Sequence, residues 1–176
     1  IFRVGWPMEY MNNLLFDLGS EANKHDMIIF PHRLAPEKQV DIFKDLSESM
    51  DDVEFVIAQE QQLTKEEYHD LLATSKIVFS ANQQETLGIS CFEGALVGTV
   101  PLVPDRLSYT EMYDDNFKYP SEWTKDFETY LEHKEELMAK IRHILGNNKA
   151  LNVSSLADNL SKNFFDGGAI YDIIGK

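Results

Sequence analysis

Cysteine is nearly absent from this chain of 176 residues, where Cys91 stands alone. A lone cysteine excludes an internal disulfide framework and suits a reducing compartment, so we expect a cytoplasmic protein. Its neighbours in "ISCFEGAL" (89–96) are apolar, which makes it a core filler and not a nucleophile. Long apolar runs are missing too. No segment approaches the roughly 20 residues of a transmembrane helix, and no secretory leader pattern opens the chain. Basic residues are scarce: 16 Lys and Arg against 30 Asp and Glu, a formal charge of −14. That balance excludes a broad basic nucleic-acid face but not a small anionic ligand, which needs only local donors and one or two cations. The five histidines, His25, His32, His69, His133 and His143, form no His-Glu-x-x-His pattern and no Cys/His cluster, so no metal site is expected.

What is present is an ordinary globular composition, 43% hydrophobic, long enough for one full core. Short apolar runs alternate with helical spacing. "DMIIFPHR" (26–33) reads as a buried strand ended by Pro31. "APEKQVDIFKDLSESM" (35–50) is a helix with Pro36 in its first turn. "DVEFVIAQ" (52–59) is the next strand. "TKEEYHDLLATS" (64–75) is a helix with a capping box between Thr64 and Glu67. "KIVFSA" (76–81), a helix over 90–98 and "TVPLVP" (99–104) continue the rhythm. This order predicts an α/β fold, a doubly wound Rossmann-like parallel sheet with helices on both faces. Residues 112–123 read as a polar connection with a short edge strand near Phe117. "WTKDFETYLEHKEELMAKIRHILGN" (123–147) reads as one long helix closed by Gly146, and a last helical stretch lies near 151–163.

In such sheets ligands bind beyond the carboxyl ends of the strands, which gathers "PHRLAPEK", "AQEQQLT" and "ANQQETLGIS". Arg33 and Lys38 oppose the dipole of the helix they precede unless an anion lies between them. They form either a diphosphate clamp or a pair of solvated surface cations, with Lys38 close to Glu37 and Asp41. Gly88 permits close backbone approach at a helix start, where Ser90 is a natural N-cap and Glu93 its capping-box partner. Glu85, in a polar loop at the rim, suits sugar or ribose hydroxyls. A glycosidase pair of Glu85 and Glu93 ranks low, because their spacing fixes no separation and leaves the cations unexplained. His32 is more simply a packing or surface residue than a ligand contact. Asp105, Arg106, Ser108, Tyr109 and Glu111 follow the fourth strand as a sugar-side wall, with Tyr109 equally readable as a loop anchor.

These blocks carry a resemblance. "PHRLAPEKQVDIF" resembles the "GR…PEKG" segment of GT-B glycosyltransferases, and "ETLGISCFE" matches their Glu-x7-Glu motif. "GALVGTVPLVPDRLSYTE" resembles the stretch that follows in the family; all three stand in register over about residues 26 to 112. "DRLSYTE" replaces the family's Gly-Gly pair and is similar to the "NRLSYPE" run of proteins related to the tRNA-queuosine mannosyltransferase. The chain thus resembles the C-terminal, donor-binding half of a retaining GT-B enzyme. The resemblance implies that Arg33 and Lys38 neutralise the donor diphosphate and that Glu85 contacts the transferred sugar. It gives Glu93 the ribose, and Thr86, Leu87, Gly88, Ile89 and Ser90 the turn that meets phosphate and sugar. Arg33, Lys38 and Glu85 would be catalytic. No metal or other cofactor is required; a nucleoside-diphosphate sugar is the donor substrate.

The expectation is therefore one domain over 1–176, with an interdomain crossover in 1–20 that includes "VGWP" (4–7), and C-terminal helices over 124–176 that pack back across the other half. The chain begins at Ile1 and reads like the middle of a longer protein. It would need its own N-terminal GT-B domain, with the acceptor, for hexosyltransferase activity, and would be inactive alone, with apolar surface exposed near its first residues. The alternatives are a noncatalytic Rossmann-like nucleotide-binding or regulatory module and a two-domain nucleotide-sugar epimerase.

Overall fold

The structure, a computed structural model, describes residues 5–174. Its strands are β1 His25–Phe30, β2 Glu54–Ile57, β3 Ser75–Phe79, β4 Val100–Pro104 and β5 Lys118–Tyr119, in the sheet order β2-β1-β3-β4-β5. Every pairing is parallel, so each connection crosses a face of the sheet and helices make the crossings. Ile28, Ile29 and Phe30 of β1, Ile77, Val78 and Phe79 of β3, and Leu102 and Val103 of β4 have no exposed surface. Unbroken apolar runs of this kind are what strands covered on both faces require. The expected doubly wound Rossmann-like sheet is what the chain forms, and β5 is the expected edge strand beside Phe117.

Helices α1 Glu9–Glu21, α3 Lys65–Thr74, α4 Ile89–Leu96 and α8 Val153–Phe164 pack together on one side; α2 Val40–Ser49, α6 Phe127–Glu132 and α7 Lys134–Asn147 pack together on the other. The short α5 Tyr109–Met112 follows β4, and α9 Gly168–Ile174 ends the described chain. The capping box of α3 is present in full: the Thr64 amide donates to Glu67 Oε2 at 2.8 Å, and the Glu67 amide to Thr64 Oγ1 at 3.2 Å. The helix α1 was not expected. It lies in the stretch read as crossover and buries Met11 and Leu15 against α3 and α4. Of "VGWP", Val4 lies outside the described residues; the Trp6 amide donates to the Phe164 carbonyl at 2.8 Å.

The long helix expected over 123–147 is two. Asp126 caps α6 by accepting from the Thr129 amide at 2.8 Å, and the backbone leaves helical geometry at His133 (φ −113°, ψ 13°). Tertiary ties decide this break. Asp45 of α2 accepts from Tyr130 Oη at 2.7 Å and pairs with Lys134 Nζ at 2.6 Å, one partner on each side of the break. The His133 ring stacks on Trp123. Nor does Gly146 close the second helix, which runs on to Asn147. The helix α8 packs on α4 within this same domain, with Phe92 stacked on Phe165 at 3.9 Å.

Candidate functional site

The strand order reverses between β1 and β3, and a crevice opens there beyond their carboxyl ends. Two loops meet across it. After β1 the chain passes Pro31, His32 and Arg33 into a 3-10 turn, Pro36–Lys38, and reverses at Gln39, whose φ of 54° separates the turn from α2. The expected single helix over 35–50 is interrupted there. After β3 the chain runs through residues 80–88 to α4. The loops are tied by backbone and side chain: the Gln83 amide donates to the Glu37 carbonyl at 2.8 Å, and Gln39 Nε2 to the Ala81 carbonyl at 2.6 Å.

Lys38 and Glu85 come together. Lys38 is buried, its Nζ donating to the Gln84 carbonyl at 2.8 Å and to Glu85 Oε2 at 3.2 Å. Glu85 Oε1 accepts from the amides of Thr86 at 3.0 Å and Gly88 at 3.1 Å, and Oε2 also from Asn82 Nδ2 at 2.8 Å. Burial pushes the Glu85 carboxyl up, but the Gly88 amide, the Lys38 charge and the Thr86 amide together outweigh it and hold it below its ordinary value. Glu85 is thus an ionised carboxylate whose donors include two amides that were expected to meet a ligand. Gly88 has a φ of 64°, and a Cβ there would lie 2.6 Å from the Tyr109 ring. Backbone conformation and packing both require glycine at this position.

Arg33 stands at the rim. Its side chain is 72% exposed and ion-paired with Glu37 four residues on, so its charge lies near the Lys38 pair without touching it. Glu93 faces a neighbouring hollow, with Tyr68 Oη and His69 Nε2 each 3.5 Å from its carboxylate. Burial and the Glu93 charge push the Tyr68 phenol up. Ser90 is not an N-cap and makes no capping box with Glu93, because the left-handed turn at Gly88 starts the helix at Ile89. Ser90 lies instead between two hollows. One, of about 410 Å³, is lined by Trp6, His32, Arg33, Lys38, Glu85, Thr86, Leu87 and Ile89; the other, of about 390 Å³, by Gln59, Gln62, Leu63, Lys65, Tyr68 and Glu93. Pro31 and Ser90 line both. In the first turn of α4 the Cys91 amide already donates to the Gly88 carbonyl at 3.0 Å, which leaves the amides of Ile89 and Ser90, too early in the helix to reach an acceptor within it. A larger hollow of about 600 Å³ lies between α1, α8 and the far end of α4. The candidate site is at the strand ends, where Lys38 and Glu85 meet at 3.2 Å across the two loops.

The stretch 105–111 lines neither hollow. Asp105 pairs with Lys118 at 3.1 Å. Arg106 donates to the carbonyls of Asn82 and Ala81 at 2.8 Å each and to those of Ser121 and Thr124 at 3.1 Å each. Its fork staples loops. Tyr109 is wholly buried with its hydroxyl 3.3 Å from Ser80 Oγ, the loop anchor of the two readings. Ser108 Oγ is buried without a hydrogen-bond partner among the described residues, and Glu111 is exposed. His32 is buried, set edge-on to Phe30 at 5.1 Å, and also lines the first hollow. Burial and the Lys38 charge lower its pKa to about 4, against the pull of Glu85 and the Phe79 carbonyl.

No protein-family model matches the sequence, and no curated protein matches it either. Solved structures do match in shape. TarM is 14% identical with a TM-score of 0.65, the match covering 99% of this chain and 37% of TarM. A point variant of S. aureus TarM in complex with Fondaparinux, alpha-GlcNAc-glycerol and UDP is 14% identical with a TM-score of 0.62, over 98% of this chain and 36% of that one. This chain therefore spans little more than a third of TarM. At such identity the likeness establishes the fold: a Rossmann-like α/β sheet shared with part of a longer, UDP-binding protein.

Sequence reasoning missed Asn82 and read Arg106 as wall; together the two organise the loop that carries Glu85. Their signal was position: a polar residue three places after the end of β3, and an arginine two places after the end of β4.

Proposed function

We propose that this chain is the donor domain of a glycosyltransferase, binding a nucleoside-diphosphate sugar for transfer, with retention, to an acceptor held by an N-terminal domain. What carries this reading is the pair of adjoining hollows at the topological switch point. One holds Lys38, Glu85 and Arg33, and the next holds Glu93. A diphosphate over Pro31 and Ser90 would lie between the α4 amides and Lys38, with Arg33 swinging from Glu37 to join them. The sugar would fall toward Glu85 and the ribose toward Glu93, as the Glu-x7-Glu resemblance implies. Catalysis is then positioning plus neutralisation of charge on the departing diphosphate. The UDP in the TarM complex makes UDP the first nucleotide to try. Exposed Trp6, Tyr10 and Leu14 suit a partner half beside the site. Among the described residues no helix is long and apolar enough to cross a membrane, and we keep the cytoplasm as the place of action.

Calorimetry of the chain with UDP, GDP and ADP tests this. One of them is expected to bind, and Lys38→Ala to weaken it by roughly tenfold or more. Absence of heat with all three would sink the nucleotide reading; binding that survives Arg33→Ala and Lys38→Ala combined would move the site elsewhere.

A further inference from the structure

We propose that Asn82 is a positioning residue whose side-chain amide keeps the Glu85 carboxylate in place when Lys38 turns from it to a ligand anion. This deepens the function proposed above and rests on it for the ligand. A carboxylate offers about four acceptor directions, and Glu85 has four donors. The amides of Thr86 and Gly88 are part of a fixed turn. The Lys38 ammonium rides on a flexible stem and is the donor that a diphosphate draws away. Asn82 Nδ2, at 2.8 Å, is what remains on Oε2. With Lys38 gone, that oxygen gains one free direction for a sugar hydroxyl while its position is kept.

Asn82 is built to stay. It has no exposed surface, and Arg106 Nε holds its carbonyl at 2.8 Å. Its Oδ1 is buried with no hydrogen-bond partner among the described residues. An orphaned buried acceptor costs stability that a small apolar residue would not. Turning the amide over would set Oδ1 against the Glu85 carboxylate, so Glu85 dictates the orientation. Nδ2 also lies 3.4 Å from Tyr109 Oη and 3.5 Å from His32 Nδ1, and its contact with Glu85 is the shortest of the three.

The test compares UDP with UDP-N-acetylglucosamine by calorimetry, in the unmodified chain and in Asn82→Ala. Alongside it, the Glu85 carboxyl carbon resonance is followed, assigned with Glu85→Gln. Asn82→Ala is expected to weaken the nucleotide sugar roughly fivefold, to leave UDP within about twofold, and to move the Glu85 resonance. Asn82→Ser, which keeps a shorter donor, is expected to restore part of both, and carries the same comparison if Asn82→Ala does not fold. Equal weakening of the two ligands, or an unmoved Glu85 resonance, reduces Asn82 to packing and overturns the proposal. If neither ligand binds the unmodified chain, the nucleotide reading falls, and the resonance alone decides whether Asn82 holds Glu85.

Discussion

Helix α4 has a left-handed glycine at each end, Gly88 with φ 64° and Gly98 with φ 74°, and a charged side chain facing each. At the amino end the Glu85 carboxylate takes the Gly88 amide; at the carboxyl end Lys24 Nζ donates to the Val97 carbonyl at 2.9 Å and to Thr99 Oγ1 at 2.7 Å. Both charges complement the helix dipole. The ends differ in what surrounds them. Glu85 sits at an open crevice and shares its oxygens with Lys38, a partner that can be exchanged. Lys24 also lines a hollow, of about 790 Å³, but its partners are a backbone carbonyl and a hydroxyl, neither a counter-charge, and burial lowers its pKa from the ordinary 10.5 to about 7. A helix end completed by an exchangeable ion pair can receive a ligand, whereas one completed by a fixed cap only holds the fold.

The glycines give the largest expected contrast. Gly88→Ala meets the left-handed penalty and the Tyr109 ring together, for about 4 kcal/mol of lost stability. Gly98→Ala, whose Cβ would meet only Lys24 Cε at 3.9 Å, is expected to cost about 1 kcal/mol. Urea unfolding of both variants measures the difference, and equal losses would break the comparison.

Acid sharpens it next. His32 has a folded pKa of about 4 against an ordinary 6.5, so the unfolded chain binds the extra proton. Stability from the neutral ring is complete above about pH 6.5 and is lost as pH falls toward 4, by about 3 kcal/mol in all. Glu85, held below its ordinary value, adds stability present above the ordinary carboxylate range and lost as pH falls through its own lower pKa. His32→Gln should flatten the acid limb of stability between pH 6.5 and 4; an unchanged limb means that the amino end does not carry it.

The smallest effect belongs to the far end. The lowered Lys24 pKa means that the unfolded chain holds the proton between about pH 7 and 10.5, so stability rises with pH across that window. Lys24→Met is expected to change stability at pH 7 by about 1 kcal/mol or less, since two lost hydrogen bonds offset a relieved burial cost. It should also remove the alkaline rise. Persistence of that rise would place its origin in another group.

The strands and the α3 cap were legible because each rests on local rules: continuous apolar runs, and a Thr64–Glu67 spacing that closes on itself. The helix α1 was not, since its apolar positions Met11 and Leu15 gain meaning only against α3 and α4. The break at His133 was hidden for the same reason, because Asp45, which draws Tyr130 and Lys134 from its two sides, is far away in sequence. At the site, residue types placed Lys38 and Glu85 in one crevice, but not the pairing of Arg33 with Glu37, the burial of His32, or the use of the Gly88 amide by Glu85.

The succession of the strands and the end of the sheet that bears the crevice follow from the sequence by itself, because apolar periodicity and the handedness of parallel crossovers leave few other arrangements. Only tertiary structure decided which donors the Glu85 carboxylate keeps and which it can give up. That choice depends on distances of a few ångströms between loops some 40 to 50 residues apart in sequence, as in Lys38 and Glu85, and no local pattern encodes such distances.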